Sequence, residues 1–285
     1  MLDSMKILAA AGILALFFLL LSLWGFTVSI RPPKIVSPIT PGDLGLSYED
    51  IALTTADGVR LAGWFIPGTD GPRTKTLILL HGYPADKGNI LPALAFLHKK
   101  YNLLLFDFRY LGQSGGNCST IGARETKDLK AAVEFLKNRG VHEVGVWGFS
   151  MGGAVALMTA GDTPEIKVIV SESSYAELAP LASELYQIPL IRYPLGWLTT
   201  LWARIFLGMN VNAVSPLQSA GKLQIPVLLI HSTHDEVISF KHALRLKEAL
   251  QNNPRAEFWF EEKLIHGEFG NEYQKRVENF FDKNL

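Results

Sequence analysis

The chain holds a single cysteine, Cys118, among its 285 residues. One thiol can close no intrachain disulfide and build no thiolate metal cluster. Net charge is missing as well, with 27 Lys and Arg against 27 Asp and Glu. No basic run breaks that balance, so the electrostatic footprint of a nucleic-acid binder is absent and no nucleic-acid partner is expected. Terminal lipidation signals are lacking: Leu2 stands where myristoylation needs glycine, and no cysteine lies near either terminus. Neither an internal repeat nor a low-complexity tract occurs. No metal site and no cofactor are expected.

Charge is also absent from residues 7–30, which are flanked by Lys6 and by Arg31 and Lys34. As a helix this run would be about 36 Å long, enough for a hydrocarbon core of about 30 Å. Trp24 and Phe26 suit an interfacial anchor at one end. A cleaved signal peptide is the rival, but its apolar region is shorter and ends in a small-x-small site, for which Gly25-Phe26-Thr27 is a poor match. A single-pass anchor over 7–30 is therefore expected. One basic residue before the run and two after it lean toward a cytoplasmic C-terminal part, too small a difference to fix the side. Residues 31–47, with Pro32, Pro33, Pro38 and Pro41, read as a stiff linker.

From residue 48 to 285 apolar strands alternate with helices. Asp57-Gly58 joins two strands in an opening hairpin. Strands are expected at Thr76–Leu80, Leu103–Asp107, Glu143–Trp147, Val168–Val170, Val227–Ile230 and Glu257–Phe260. Helices are expected at about Ile90–Lys100, Glu125–Asn138, Ala154–Ala160, Phe240–Gln251 and Asn271–Asp282. That alternation predicts an α/β fold, a mostly parallel sheet with helices on both faces. More than fifty residues part the strand at Val170 from the one at Val227, and they are rich in Leu, Trp and Tyr. The stretch at about 174–221 reads as a helical insertion above the sheet's carboxyl edge. It is either a lid lining an acyl pocket or a cap that merely covers the core.

Gly148-Phe149-Ser150-Met151-Gly152 reads G-x-S-x-G, with an apolar strand before it and a helix after it. A serine on such a tight turn projects its hydroxyl from the sheet edge as a nucleophile. The hydroxyl barely ionises at neutral pH and needs a base. Of seven histidines, His98 and His242 read as surface residues, and His142 sits in a loop near a helix end. His81, His231 and His234 read as shaping their loops. His266, just past the last strand, reaches the edge where Ser150 is expected, and is the candidate base. Asp235 follows the strand Val227–Ile230 and completes the order Ser, Asp, His; Glu236 is the runner-up acid. Asp107 precedes Ser150 and is expected to pair with Arg109. The oxyanion donors are expected to be the backbone N–H groups of Met151 and Tyr83, since Pro84 has no N–H to offer.

These motifs, with His81-Gly82 and Asp107-Phe108-Arg109 through Gly112-Gln113-Ser114, resemble the α/β-hydrolases over residues 48–285, in particular the single-span membrane-anchored α/β-hydrolase-domain proteins. The resemblance implies a Ser-His-Asp hydrolase of esters, thioesters or lipids. Tyr110 departs from it, standing where many members have glycine, and should affect the loop backbone and pocket shape more than catalysis. A small-molecule or lipid acyl ester is thus the expected substrate. A serine peptidase or an acyltransferase on the same fold is the alternative, and a membrane-tethered non-catalytic binding module is a further rival. The peptidase is disfavoured because no extra N-terminal domain is read in the sequence. Oligomeric state is left open.

Overall fold

Continuous apolar runs and alternating ones separate the strands by their place in the sheet. In the computed structural model, which describes residues 2–69, 75–184 and 191–285, Thr76–Leu80 (β3) is buried at every position. Both its faces are therefore covered, as a central parallel strand requires. Leu77 and Leu79 enter one apolar cluster and Ile78 and Leu80 the other, so β3 divides the core in two.

The sheet is built from Glu49–Thr54 (β1), Arg60–Ile66 (β2), β3, Asn102–Phe106 (β4), Val144–Phe149 (β5), Ile166–Glu172 (β6), Val227–Ser232 (β7) and Ala256–Glu261 (β8). Its order is β1-β2-β4-β3-β5-β6-β7-β8. β1 pairs antiparallel with β2, and β2 antiparallel with β4. Every pairing from β4 through β8 is parallel. β4 and β5 lie on opposite sides of β3, so the loops after β3 and β5 open a crevice at the carboxyl edge.

One face carries Glu125–Asn138 (α3) and Met151–Ala160 (α4), with Pro216–Ala220 (α7) and Phe240–Ala249 (α8). The other carries Lys87–Leu94 (α2) and Tyr273–Asn284 (α9). In α3 the buried Leu129, Ala132, Val133 and Leu136 fall at i, i+3, i+4 and i+7, the spacing of one helical face. The helix expected over Ile90–Lys100 is instead α2 followed by the 3-10 turn Ala95–Lys99.

The chain divides into two compact units. Residues up to Pro32 and Glu177–Val214 form one; Pro33–Ala176 and Ser215–Leu285, with the whole sheet, form the other. The first contains Leu2–Ile30 (α1), Leu178–Glu184 (α5) and Arg192–Leu207 (α6). Asp3–Ile30 is long and apolar enough to cross a membrane, a test that a signal sequence also passes. Along α1 the side chains of Ile7, Leu8, Ile13 and Phe17 are exposed, whereas Ser22, Phe26 and Ile30 are buried. Trp202 on α6 donates its indole N–H to Ser22 Oγ at 3.0 Å, and Phe206 stacks on Phe26 with ring centroids 6.1 Å apart. Leu185, Pro189 and Leu190, part of the expected insertion, lie outside the described residues.

Candidate active site

β5 ends at Phe149 and α4 begins at Met151, which leaves Ser150 alone on the turn at φ 52° and ψ −113°. A positive φ on a non-glycine residue costs on the order of 1–3 kcal/mol and persists only where its surroundings enforce it. Here the Ser150 amide donates to the Glu172 carbonyl at 2.8 Å, and the Ser150 carbonyl accepts from Ala154 at 3.1 Å. The flanking glycines are steric necessities. A Cβ at Gly148 would stand 2.4 Å from the Gly152 carbonyl carbon, and one at Gly152 would stand 2.5 Å from the Leu80 oxygen.

Asp235 and His266 come from the loops after β7 and β8. His266 Nδ1 lies 2.7 Å from Asp235 Oδ2. The other carboxylate oxygen, Oδ1, accepts the amides of Val237 at 2.9 Å and Ile238 at 2.7 Å, which fixes the carboxylate plane. Burial pushes Asp235 up, but the His266 hydrogen bond and the Ile238 amide outweigh it and hold the carboxyl below its ordinary value. An ionised Asp235 orients the imidazole with Nδ1 protonated and leaves Nε2 to accept a proton. The His266 ring sits 4.7 Å from the ring of Phe149, the neighbour of Ser150.

The turn after β3 reaches the same place. A Cβ on Gly82 would meet the Phe149 ring at 2.9 Å and Ser150 Cβ at 3.3 Å. His81 shapes this turn: Nδ1 donates to the Gly82 carbonyl at 2.7 Å, and Nε2 accepts the Phe108 amide at 3.0 Å. Burial keeps its pKa low, which suits a neutral ring with one donor and one acceptor nitrogen. Tyr83 follows Gly82 directly. Met151 opens α4, where a first-turn amide has no acceptor within the helix. A serine on a strained turn, a carboxylate-bound histidine against the ring of its neighbour Phe149, and the amides of Tyr83 and Met151 form a set that could deprotonate a hydroxyl and receive an oxyanion.

Behind this cluster lies a buried chain that sequence reasoning missed. Trp147 Nε1 donates to the Tyr273 hydroxyl at 2.8 Å, and Tyr273 donates to Glu172 Oε2. Burial raises the Glu172 carboxyl to about 8, against the Tyr273 hydrogen bond and with help from the nearby Asp235 charge. A lone acid closing the apolar strand Ile166–Glu172 was the available signal.

Two expectations are corrected. Asp107 does not pair with Arg109: it accepts from Lys87 Nζ, the Lys87 amide and the Gln113 amide, each at 2.8 Å. Arg109 instead bonds Asp128 on α3 through Nε at 2.9 Å and Nη2 at 2.7 Å, and meets Asp57 of the hairpin turn through two bonds of 3.0 Å. Its planar fork satisfies two carboxylates at once, which a pairing with its near neighbour in sequence would not. His242 is not at the surface but buried, with Nδ1 accepting the Ala176 amide at 3.0 Å. His98 is half-buried, its Nδ1 donating to the Ala95 carbonyl at 2.7 Å. His231 Nε2 donates to the Ile238 carbonyl at 2.8 Å and thereby shapes the Asp235 loop. Tyr110 sits at φ 69°, the conformation for which glycine is the usual choice. Among the described residues, no group of three or more His, Cys, Asp or Glu is arranged to hold a metal.

Strand order, elbow and helical layers define an α/β-hydrolase fold, and relatives agree. A solved esterase of Pyrococcus furiosus superposes with a TM-score of 0.75 at 30% identity, covering 90% of this chain and 99% of that one. The YfhR protein of Escherichia coli O157:H7 is 31% identical over 210 residues, or 70% of this chain and 67% of that protein. The α/β hydrolase domain-containing protein WAV2 of Arabidopsis thaliana is 28% identical over 231 residues, 78% and 73% of the two chains. The sequence profile of the prolyl oligopeptidase family matches residues 118–285. The chain belongs to that family of α/β-hydrolases.

Proposed function

We propose that the chain is a membrane-anchored serine hydrolase that cleaves carboxylic esters or thioesters of lipophilic acyl groups. The Asp235–His266 hydrogen bond beside the strained Ser150 turn is the observation that carries this reading. In the reaction, His266 Nε2 takes the Ser150 proton as Oγ adds to the acyl carbon. The Met151 and Tyr83 amides hold the resulting oxyanion. His266 then returns the proton to the departing alcohol or thiol, leaving an acyl-Ser150 that water hydrolyses by the same steps.

An ester rather than a peptide is favoured by the Pyrococcus furiosus esterase, similar over 99% of its own length. The profile of the prolyl oligopeptidase family favours the second reading, a serine peptidase. The anchor reading draws on the length and exposed apolar surface of α1. Residues 7–30 would be the anchor, 31–47 the linker, and 48–285 the hydrolase domain with its insertion at about 174–221.

A fluorophosphonate probe should label the wild type and leave Ser150→Ala unlabelled; equal labelling would remove Ser150 as nucleophile. Nitrophenyl esters of short and long chain, run beside a peptide series, then rank the substrates. Faster peptide turnover would select the peptidase. Release of the protein by alkaline carbonate would defeat the integral anchor.

A further inference from the structure

Helices α1 and α6 run in the same direction where they meet. Ser22 pairs with Trp202, and one turn later Phe26 pairs with Phe206, four residues on along both helices. The buried positions Ser22, Phe26 and Ile30 on α1 all lie in its last nine residues. Ahead of that seam, only residues 7–21 of the uncharged run remain, about 22 Å of helix. A hydrocarbon core is about 30 Å thick, so this part of α1 is too short to cross alone. If α1 crosses a membrane, its Ser22–Ile30 turns must enter the bilayer or its boundary, and α6, packed against them, enters too.

The free face of α6 suits that place. Tyr193, Trp197 and Ile205 are 61%, 64% and 58% exposed and stand at i, i+4 and i+12, within an arc of about 120° on one face. Tyr and Trp are the side chains that favour the headgroup level, where one part of the ring is dry and the other wet. Charge agrees with it: α6 carries Arg192 and Arg204, and no Asp or Glu occurs between Glu184 and Asp235. Arginines at that depth reach the phosphates through their long stems.

We infer that α6 is a second lipid-contacting element, a helix that enters the lipid at the membrane boundary alongside the Ser22–Ile30 turns of α1 with its Tyr193–Trp197–Ile205 face in lipid. This inference rests on the anchor reading above. It makes the insertion of the hydrolase a part of the membrane attachment, and it gives α6 a bilayer, not a protein, as its partner.

Nitroxide labelling of the full chain in phosphatidylcholine–phosphatidylglycerol vesicles tests it. In a Cys118→Ala background, Leu14→Cys reports on α1, Trp197→Cys on the free face of α6, and the exposed Gln251→Cys on water. Tyr193→Cys repeats the α6 measurement if Trp197→Cys fails to fold. Power-saturation EPR compares the accessibility of each label to oxygen and to a nickel chelate. The expected result is an oxygen-favoured signal at 14 and at 197, against a nickel-favoured one at 251. A nickel-favoured signal at 197 with 14 still in lipid overturns the inference and leaves the anchor standing, with a protein partner for that face as the remaining occupant. Nickel-favoured signals at both 14 and 197 overturn the anchor and the inference together.

Discussion

Glu172 holds Ser150 through its backbone and Tyr273 through its side chain: its carbonyl accepts the Ser150 amide at 2.8 Å, and its carboxyl accepts the Tyr273 hydroxyl. The turn that bears the serine and the last helix of the chain are thus tied to one residue. The carboxyl is buried, and its pKa of about 8 stands far above the ordinary glutamate value of 4.5.

Stability should therefore depend on pH through Glu172. A carboxyl whose folded pKa is raised binds its proton more tightly in the native state. Its contribution is fully present below about pH 4.5 and is lost as pH rises toward about 8. Relative to Glu172→Gln, the wild type should lose about a few kcal/mol across that interval and change little beyond it. Melting temperatures of both proteins in the same detergent from pH 4 to 9 give the difference directly. Parallel curves would show that Glu172 does not titrate there. Asp235 shifts in the opposite direction, so its stabilisation is lost only as pH falls through its own lowered value.

Asp235→Asn should separate geometry from tautomer. An asparagine oxygen can still accept the Val237 and Ile238 amides, but its NH2 then faces His266 Nδ1 and puts the imidazole proton on Nε2. Ester turnover should fall by roughly 10³–10⁴-fold while the unfolding midpoint stays close to wild type. A loss below about tenfold, measured as kcat/KM on a nitrophenyl ester, would move the acid to another residue.

Lys87 and Asp107 form a buried ion pair at 2.8 Å, with side chains 2% and 0% exposed. Lys87→Met should cost about 3–5 kcal/mol in urea unfolding because it strands the Asp107 charge. The double variant Lys87→Met/Asp107→Asn should recover part of that loss. A cost under about 1 kcal/mol for the single variant would mean that the Lys87 and Gln113 amides suffice for Asp107.

Tyr273→Phe deletes one hydroxyl and takes a partner from two buried groups, the Trp147 indole N–H and the Glu172 carboxyl. Each unsatisfied group costs about 1–3 kcal/mol. The Trp147 indole proton, buried and bonded to the Tyr273 hydroxyl, should exchange faster in the variant than in the wild type by NMR. Unchanged exchange would place its protection elsewhere.

Periodic and chain-order signals were readable in advance, whereas long-range polar pairings were not. The bounds of α3 follow from its apolar spacing and from Gly140. Ser150, Asp235 and His266 were picked by their order along the chain, and in the structure the last two share a hydrogen bond. Arg109 was misassigned because proximity in sequence says nothing about which carboxylates a guanidinium fork can reach from a turn and a neighbouring helix. His242 was misread for a reason the sequence itself contains: Leu246 and Leu250 stand four and eight residues on, so His242 shares their buried stripe. Glu172 and Tyr273 lie 101 positions apart, and no local pattern links them.

Strand β8 ends the sheet, and its outer row of amides and carbonyls is a template on which another chain could grow. Its centre, Phe258-Trp259-Phe260, is the kind of aromatic segment that amyloid assembly recruits. Glu257 and Glu261 sit symmetrically about Trp259. A second copy docking antiparallel on that centre would set each glutamate against its counterpart, a like-charge contact that disfavours the pair. Lys247 lies over both phenylalanine rings, at 5.6 and 5.7 Å from their centroids, and adds a further charge to the same rim. Resistance to strand-by-strand aggregation at this edge is thus carried by a few charges, and losing them would leave an aromatic template open to solvent.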